Sequence, residues 1–287
     1  MDFIMANFVF GEKGFVGSRL VAEGFAKPAN ARLLSEKDAQ DAFKSLGISK
    51  GDSAINCIGK TGSPNVDWCE FHKHETFLAN TLVPYWLAKA CESSGARLVH
   101  LSTGCIFQGS NNGIPFTEED FPNYYRSFYS RSKAMAEDML SEFPKTLILR
   151  LRMPVDSKPG PKNLITKLAR YEKIISEENS ITVVDDFINA LKFLAGKNAE
   201  GVFNVVNPQP TTHRQIAELY SEIVDPSKKF SYFSLEELEK ITAAKRSNCV
   251  LSCKKLENAG FKMRNTAEAL RQCMIEYGKS AKFSCQP

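Results

Sequence analysis

Tyr129-Ser130-Arg131-Ser132-Lys133 sets a phenol and an ammonium four residues apart. On a helix, positions i and i+4 share a face, so both groups can point at one spot. A free phenol keeps its proton up to about pH 10. A neighbouring ammonium favours the phenolate and makes the tyrosine a usable proton donor to a carbonyl being reduced. Upstream, Ser102-Thr103-Gly104-Cys105-Ile106-Phe107 follows an apolar run, which places the Thr103 hydroxyl at a strand end where it can donate to the same carbonyl. Nearer the start, Gly11-x-x-Gly14-x-x-Gly17 directly follows Phe8-Val9-Phe10 and precedes an apolar-periodic helix. Glycines at those three places suit a tight turn, a close approach to a pyrophosphate and helix-on-strand packing, with helix N–H groups free for phosphate oxygens.

These groups need a frame, and the pattern supplies one. Phe8-Val9-Phe10, Ser53-Ala54-Ile55-Asn56, the run 97–102, Thr146-Leu147-Ile148-Leu149-Arg150-Leu151 and the run 201–206 are continuously apolar or nearly so. Such runs suit strands covered on both faces, and helical spacing lies between them, as at Phe77, Leu78, Leu82, Trp86, Leu87 and Ala90. The expected class is α/β, a Rossmann-type doubly wound parallel sheet with a smaller, mostly helical C-terminal lobe. Proline and glycine at 154–161 mark the change of texture, and Ser234-x-x-Glu237 and Asn265-x-x-Glu268 read as capping boxes. The expected division is 1–152 with 181–206 for the dinucleotide and 153–180 with 207–287 for the substrate.

The second strand is expected near Ala31-Arg32-Leu33-Leu34, with no acidic residue at its end to grip a ribose 2′-hydroxyl. Arg32 there suits the extra phosphate of NADPH, with a plain surface arginine and NADH use as the alternative.

Composition closes off other classes. The 287 residues are 43% hydrophobic and 24% charged with 17 Gly and 13 Pro, which excludes disordered and collagen-like chains. No apolar run approaches the roughly 20 residues needed to span a bilayer. The stretch 2–10 lacks a basic start and a cleavage site, so it reads as a strand, not a signal peptide. The eight cysteines show no metal spacing, and reduced thiols in the cytoplasm are expected. A net charge of +4 is too small for a nucleic-acid partner. From Lys245 onward nine Lys/Arg face three Asp/Glu, a basic segment suited either to a phosphorylated ligand or to a solvated surface.

The order of motifs resembles the extended short-chain dehydrogenase/reductases. The finer text resembles the UDP-4-keto-6-deoxyglucose 3,5-epimerase/4-reductases of UDP-rhamnose synthesis, relatives of dTDP-4-dehydrorhamnose reductase. It runs through Gly59-Lys60-Thr61-Gly62-Ser63-Pro64-Asn65-Val66-Asp67-Trp68-Cys69-Glu70, Thr103-Gly104-Cys105-Ile106-Phe107, the stretch 127–135, Arg150-Leu151-Arg152-Met153-Pro154, Asn163-Leu164-Ile165-Thr166-Lys167 and Arg246-Ser247-Asn248. The resemblance implies a reductase set of Thr103, Tyr129 and Lys133 and an epimerisation acid/base pair of Cys105 and Lys167. Expected cofactor contacts are Gly11, Gly14, Phe15, Val16, Gly17, Arg32, Asn56 and Gly59, with Tyr129 and Lys133. Expected substrate contacts are Asp67, Trp68, Asn163, Arg246 and Asn248; simple packing at 67–70 and an ion pair within the lobe at Arg246 stay open. The substrate implied is UDP-4-keto-6-deoxyglucose, made by an upstream nucleotide-sugar 4,6-dehydratase, and a homodimer is the expected assembly. Two other readings stand beside this one: a 4-ketoreductase alone, and a non-catalytic NADP-binding subunit resembling the β subunit of methionine adenosyltransferase.

Overall fold

The computed structural model describes residues 6–283; residues 1–5 and 284–287, with Cys285, lie outside the described residues. The chain opens with β1 (Asn7–Phe10), α1 (Phe15–Ala22), β2 (Lys27–Pro28), α2 (Glu36–Leu46) and β3 (Ser53–Asn56). Two short helices, α3 (Asp67–Phe71) and α4 (Lys73–Phe77), lead through a π-helical turn (Leu78–Leu82) into α5 (Val83–Ser94). Next, β4 (Arg97–Thr103) ends in one 3₁₀ turn (Gly104–Ile106), and α6 (Phe128–Leu140) precedes β5 (Thr146–Leu151). The remainder holds β6 (Pro154–Val155), α7 (Leu164–Leu168), β7 (Lys173–Ile175), β8 (Glu178–Val183), α8 (Val184–Gly196) and β9 (Gly201–Asn204). It ends with β10 (Asn207–Thr212), α9 (His213–Ile223), β11 (Ser231–Phe233), α10 (Leu235–Ile241), α11 (Lys254–Asn258) and α12 (Thr266–Phe283).

Six strands form one parallel sheet in the order β2-β1-β3-β4-β5-β9. The strand period sends Phe8, Phe10, Ala54, Leu98 and Ile148 into a core shared with α2 and α5. It sends Val9, Ile55, Val99, Leu147 and Leu149 into a second core under α8. Both faces are therefore dry, which is why these strands carry almost no alternation. The chain runs to β2 on one side of β1 and returns to β3 on the other, so the crevice at the carboxyl ends of β1 and β3 is the switch point where ligands bind in such sheets.

The second strand differs from the expectation. It is only Lys27–Pro28, pairing with Phe8 and Val9, while Leu33 is buried in a loop that leads to the Ser35 capping box of α2. Pro28 has no N–H to extend the ladder. The lobe also holds two small sheets that the sequence pattern hid, β10-β8-β6 and β11-β7, whose strands are short and rich in polar residues. A third core of Val155, Ile165, Ile181, Ile216, Leu270 and Met274 packs that sheet against α7, α9 and α12. The Ser234–Glu237 capping box forms as expected, and no described helix is long and apolar enough to cross a membrane.

Candidate active site

At the switch point the chain packs against its own backbone so closely that only glycine fits. Gly11 has φ +87°, and a Cβ there would meet Ile58 N at 2.8 Å and Cys57 C at 2.9 Å. A Cβ on Gly17 would lie 2.2 Å from Gly11 O, so any side chain would push α1 off the loop. Gly14 caps α1 without a side-chain acceptor, which leaves the first helical N–H groups and the positive dipole end open. Phe15 and Val16 are half-buried against the core under α8 and hold the helix start in place. Gly59 follows β3, where an added Cβ would meet only Asn80 Oδ1, at 3.5 Å. The Asn56 amide is consumed within the fold: its Oδ1 accepts from Ile58 N–H at 3.0 Å, and its Nδ2 donates to His100 Nδ1 at 3.1 Å. Arg32 is exposed in the loop after β2.

The reactive groups come from β4 and α6. Ser127 caps α6 by accepting from Ser130 N–H, and Glu70 Oε1 accepts from Phe128 N–H at 2.6 Å, so α3 ties down the helix start. Thr103 Oγ1 accepts from Cys105 N–H at 3.1 Å and hydrogen-bonds with the Tyr129 phenol. Burial pushes that phenol above its ordinary range, reinforced by Cys105 and opposed by the Thr103 bond. The expected lowering by Lys133 is not what governs it, because the ammonium is turned elsewhere. Lys133 Nζ donates to Leu101 O at 2.8 Å and lies 3.3 Å from His100 Nε2. Burial brings the Lys133 amine down to about 8, against the pull of Glu137. His100, fully buried beside that charge, is held neutral.

Cys105 follows directly, on the 3₁₀ turn. Arg152 Nη1 donates to its Sγ at 2.7 Å, and Ser130 Oγ donates to its carbonyl at 2.6 Å. Cys105, Tyr129, Ser130 and Arg152 then line one cavity of about 500 Å³. Its far wall carries Asp67, Tyr171, Lys173, His213, Arg246 and Asn248. Arg246 Nη1 donates to Asp67 Oδ1 at 2.8 Å, so these two expected contacts face the cavity as an ion pair with each other. Two buried polar atoms on the wall have no partner, Asn248 Nδ2 and His213 Nδ1. Burial, then Arg152, pushes His213 down to about 4.

Three expected contacts lie elsewhere. Trp68 stacks on His72 at 3.9 Å and lines a second cavity of about 480 Å³ with Ile58, Gly59, Lys60 and Lys162. Asn163 is fully buried: its Oδ1 accepts from Ile165 N–H and its Nδ2 donates to Asp156 O and Lys158 O, which shapes the start of α7. Lys167 lines neither cavity. Its half-buried amine, lowered by burial and by Lys162, makes no ion pair among the described residues.

Sequence reasoning missed the supports. Asn80, on the π-helical turn, accepts from Lys60 N–H at 2.7 Å and donates to Lys60 O and Ser132 Oγ, clamping the loop after β3 to α6. A lone asparagine in a helical stretch carries no signal for that. Arg152 was visible within the matching text, but only the fold reveals its buried bond to sulfur.

A glycine loop after the first strand, a strand-end threonine and a Tyr-x-x-x-Lys helix, all on one parallel sheet, define the extended short-chain dehydrogenase/reductase class. The chain belongs to the family described as RmlD substrate binding domain, whose model matches residues 5–278. It is 37% identical to the bifunctional dTDP-4-dehydrorhamnose 3,5-epimerase/dTDP-4-dehydrorhamnose reductase of Arabidopsis thaliana, over 95% of this chain and 94% of that one. It is 36% identical to an Arabidopsis trifunctional UDP-glucose 4,6-dehydratase/UDP-4-keto-6-deoxy-D-glucose 3,5-epimerase/UDP-4-keto-L-rhamnose-reductase, matching 91% of this chain but only 40% of that longer protein. The UDP-rhamnose synthase of Acanthamoeba polyphaga mimivirus superposes with a TM-score of 0.87 at 30% identity, covering 95% of this chain and 99% of that one. The dTDP-4-dehydrorhamnose reductase of Bacillus anthracis, solved in complex with NADP, shares the fold with a TM-score of 0.82 at 21% identity, over 95% and 99% of the two chains.

Proposed function

We propose that this chain is a bifunctional 3,5-epimerase/4-reductase that converts UDP-4-keto-6-deoxy-D-glucose to UDP-L-rhamnose with NADPH. The observation that carries this reading is Cys105: a thiol on the wall that also holds the Tyr129 phenol, beside the Thr103 hydroxyl. A plain ketoreductase has no use for it.

The dinucleotide fits the switch point because Gly11 and Gly17 let the loop after β1 pack tightly on the chain after β3 and on the start of α1, which presents unclaimed N–H groups. Gly11, Gly14, Phe15, Val16, Gly17 and Gly59 would hold it, with Arg32 near its ribose, Lys133 nearer the reacting end and Asn56 supporting from behind. When bound, it supplies the hydride for C4.

The chain does the rest. In a 4-keto sugar the hydrogens on C3 and C5 are acidic, because the electron pair left behind can move onto the C4 oxygen. Thr103 and Tyr129 donate to that oxygen as charge develops on it. Cys105, on the cavity wall, is the proposed proton carrier for one face; the carrier proposed for the other is Lys167, by the resemblance of Asn163-Leu164-Ile165-Thr166-Lys167, although its side chain lines neither cavity. Tyr129, whose proton burial retains, then gives it to the C4 oxygen as the carbonyl is reduced. The sugar nucleotide occupies the cavity beside Tyr171 and Lys173, where Asn248 Nδ2 and His213 Nδ1 await partners and Arg246 faces it paired with Asp67. Its supplier is a 4,6-dehydratase acting upstream. A cytoplasmic setting agrees with seven described cysteines that are all free thiols.

Product NMR after incubation with the 4-keto sugar nucleotide and NADPH in deuterated water tests the reading. Deuterium at both C3 and C5 of an L-rhamnosyl product is expected. NADPH oxidation without deuterium at either carbon assigns a reductase alone, and no turnover of several 4-keto sugar nucleotides assigns a non-catalytic subunit.

A further inference from the structure

Arg152 is a buried cation with no carboxylate among its hydrogen-bond partners. Its Nε and Nη2 donate to Asn179 Oδ1, at 3.0 and 2.5 Å, and Nη2 donates also to Ser247 O at 2.5 Å. Those acceptors are neutral amides, which satisfy the N–H groups but leave the charge standing. A buried charge without an opposite one is costly enough that folded proteins pair it. The remaining nitrogen, Nη1, donates to Cys105 Sγ.

The groups around the guanidinium that can carry negative charge are few. Its electrostatic neighbours are Cys105, Cys249 and Tyr129. Cys249 spends its proton on Gly104 O at 3.1 Å, and burial pushes that thiol up. Burial likewise holds the proton on Tyr129. His213, which feels the Arg152 charge, is held neutral by burial, and the Asp67 carboxylate on the same cavity is taken by Arg246. Guanidinium is a donor only, so toward it the Cys105 sulfur acts as an acceptor. The approach is built in: a Cβ on Gly104 would meet Leu251 Cδ1 at 2.7 Å and Arg152 Cδ at 3.3 Å, so the glycine of Thr-Gly-Cys makes room for the arginine stem.

We propose that Arg152 is the counter-ion of Cys105, a positioning residue that holds the sulfur as the proton acceptor of the epimerisation; this rests on the function proposed above. In the step it serves, the C–H bond next to the ketone breaks and its proton forms S–H on Cys105. The bonding pair becomes the carbon–carbon double bond of an enolate whose oxygen Thr103 and Tyr129 hold. The opposite face then takes a proton from the second carrier, and exchange with water resets both groups.

The test reads exchange and reduction in the same reaction in deuterated water. The expected results are a ratio of exchange to reduction about tenfold or more lower in Arg152→Gln, and substantial recovery of that ratio in Arg152→Lys, which restores charge without the fork. A folded Arg152→Gln protein with an unchanged ratio overturns the proposal, as does an Arg152→Lys protein whose ratio stays at the level of Arg152→Gln. Wild type that exchanges no deuterium at all overturns the proposed function instead, so the two failures are distinct.

Discussion

Two buried arginines stand two residues apart at the end of β5 and are handled in opposite ways. Arg150 meets Glu137 with Nε at 3.0 Å and Nη2 at 2.7 Å, and Ser102 Oγ donates to the same carboxylate. Its charge is cancelled on the spot, and the pair joins β4, β5 and α6 behind the chemistry. Arg152 receives only amide oxygens and a sulfur, and it faces the cavity. Charge closed on itself fastens elements together; charge left open is available to a reaction. The contrast locates the working side of the site more sharply than burial does, since both side chains are almost wholly enclosed.

The largest break in that comparison falls on the closed side. Glu137→Ala strands Arg150 as an unpaired buried charge and is expected to cost about 3–5 kcal/mol of stability. Chemical denaturation measures this, and a loss near zero would mean the pair is not the fastening it resembles. On the open side, Tyr129→Phe is expected to lower reduction by roughly 10²–10⁴-fold. Its melting temperature should stay near that of wild type, because the change removes one hydroxyl and leaves the buried ring in place.

The pH dependence follows from Lys133. With its amine at about 8, kcat/KM for reduction is expected to fall as pH rises through that value, and a steady-state pH series reads it directly. Stability moves the other way. Between about 8 and the ordinary 10.5 the unfolded chain still binds a proton that the folded chain has released, so resistance to unfolding gains across that window. Lys133→Met should remove both trends. The smallest expected effect is Asn248→Ala. It removes an unpartnered donor from the cavity wall and should raise KM a few-fold, on the order of 1 kcal/mol, with kcat little changed.

The sheet was legible because burial on both faces writes continuous apolar runs, and 53–56 and 146–151 fall where their text places them. Tyr129, Lys133, Thr103 and Cys105 were legible because helix period and strand ends fix where such side chains point. What the text hid is set by partners distant in sequence. Pro28 stops the second strand early, Asn163 spends its amide on its own turn, and Arg246 finds Asp67 across 179 residues. The sulfur's neighbour belongs to this group too, because nothing local distinguishes Arg152 from Arg150.

The way the chain returns to its sheet has a consequence for anyone who would divide it. Residues beyond 152 supply β9, which pairs with β5, and α8, which roofs Leu147 and Leu149. A fragment stopped at that boundary would bare an unpaired edge and an uncovered greasy floor, inviting aggregation.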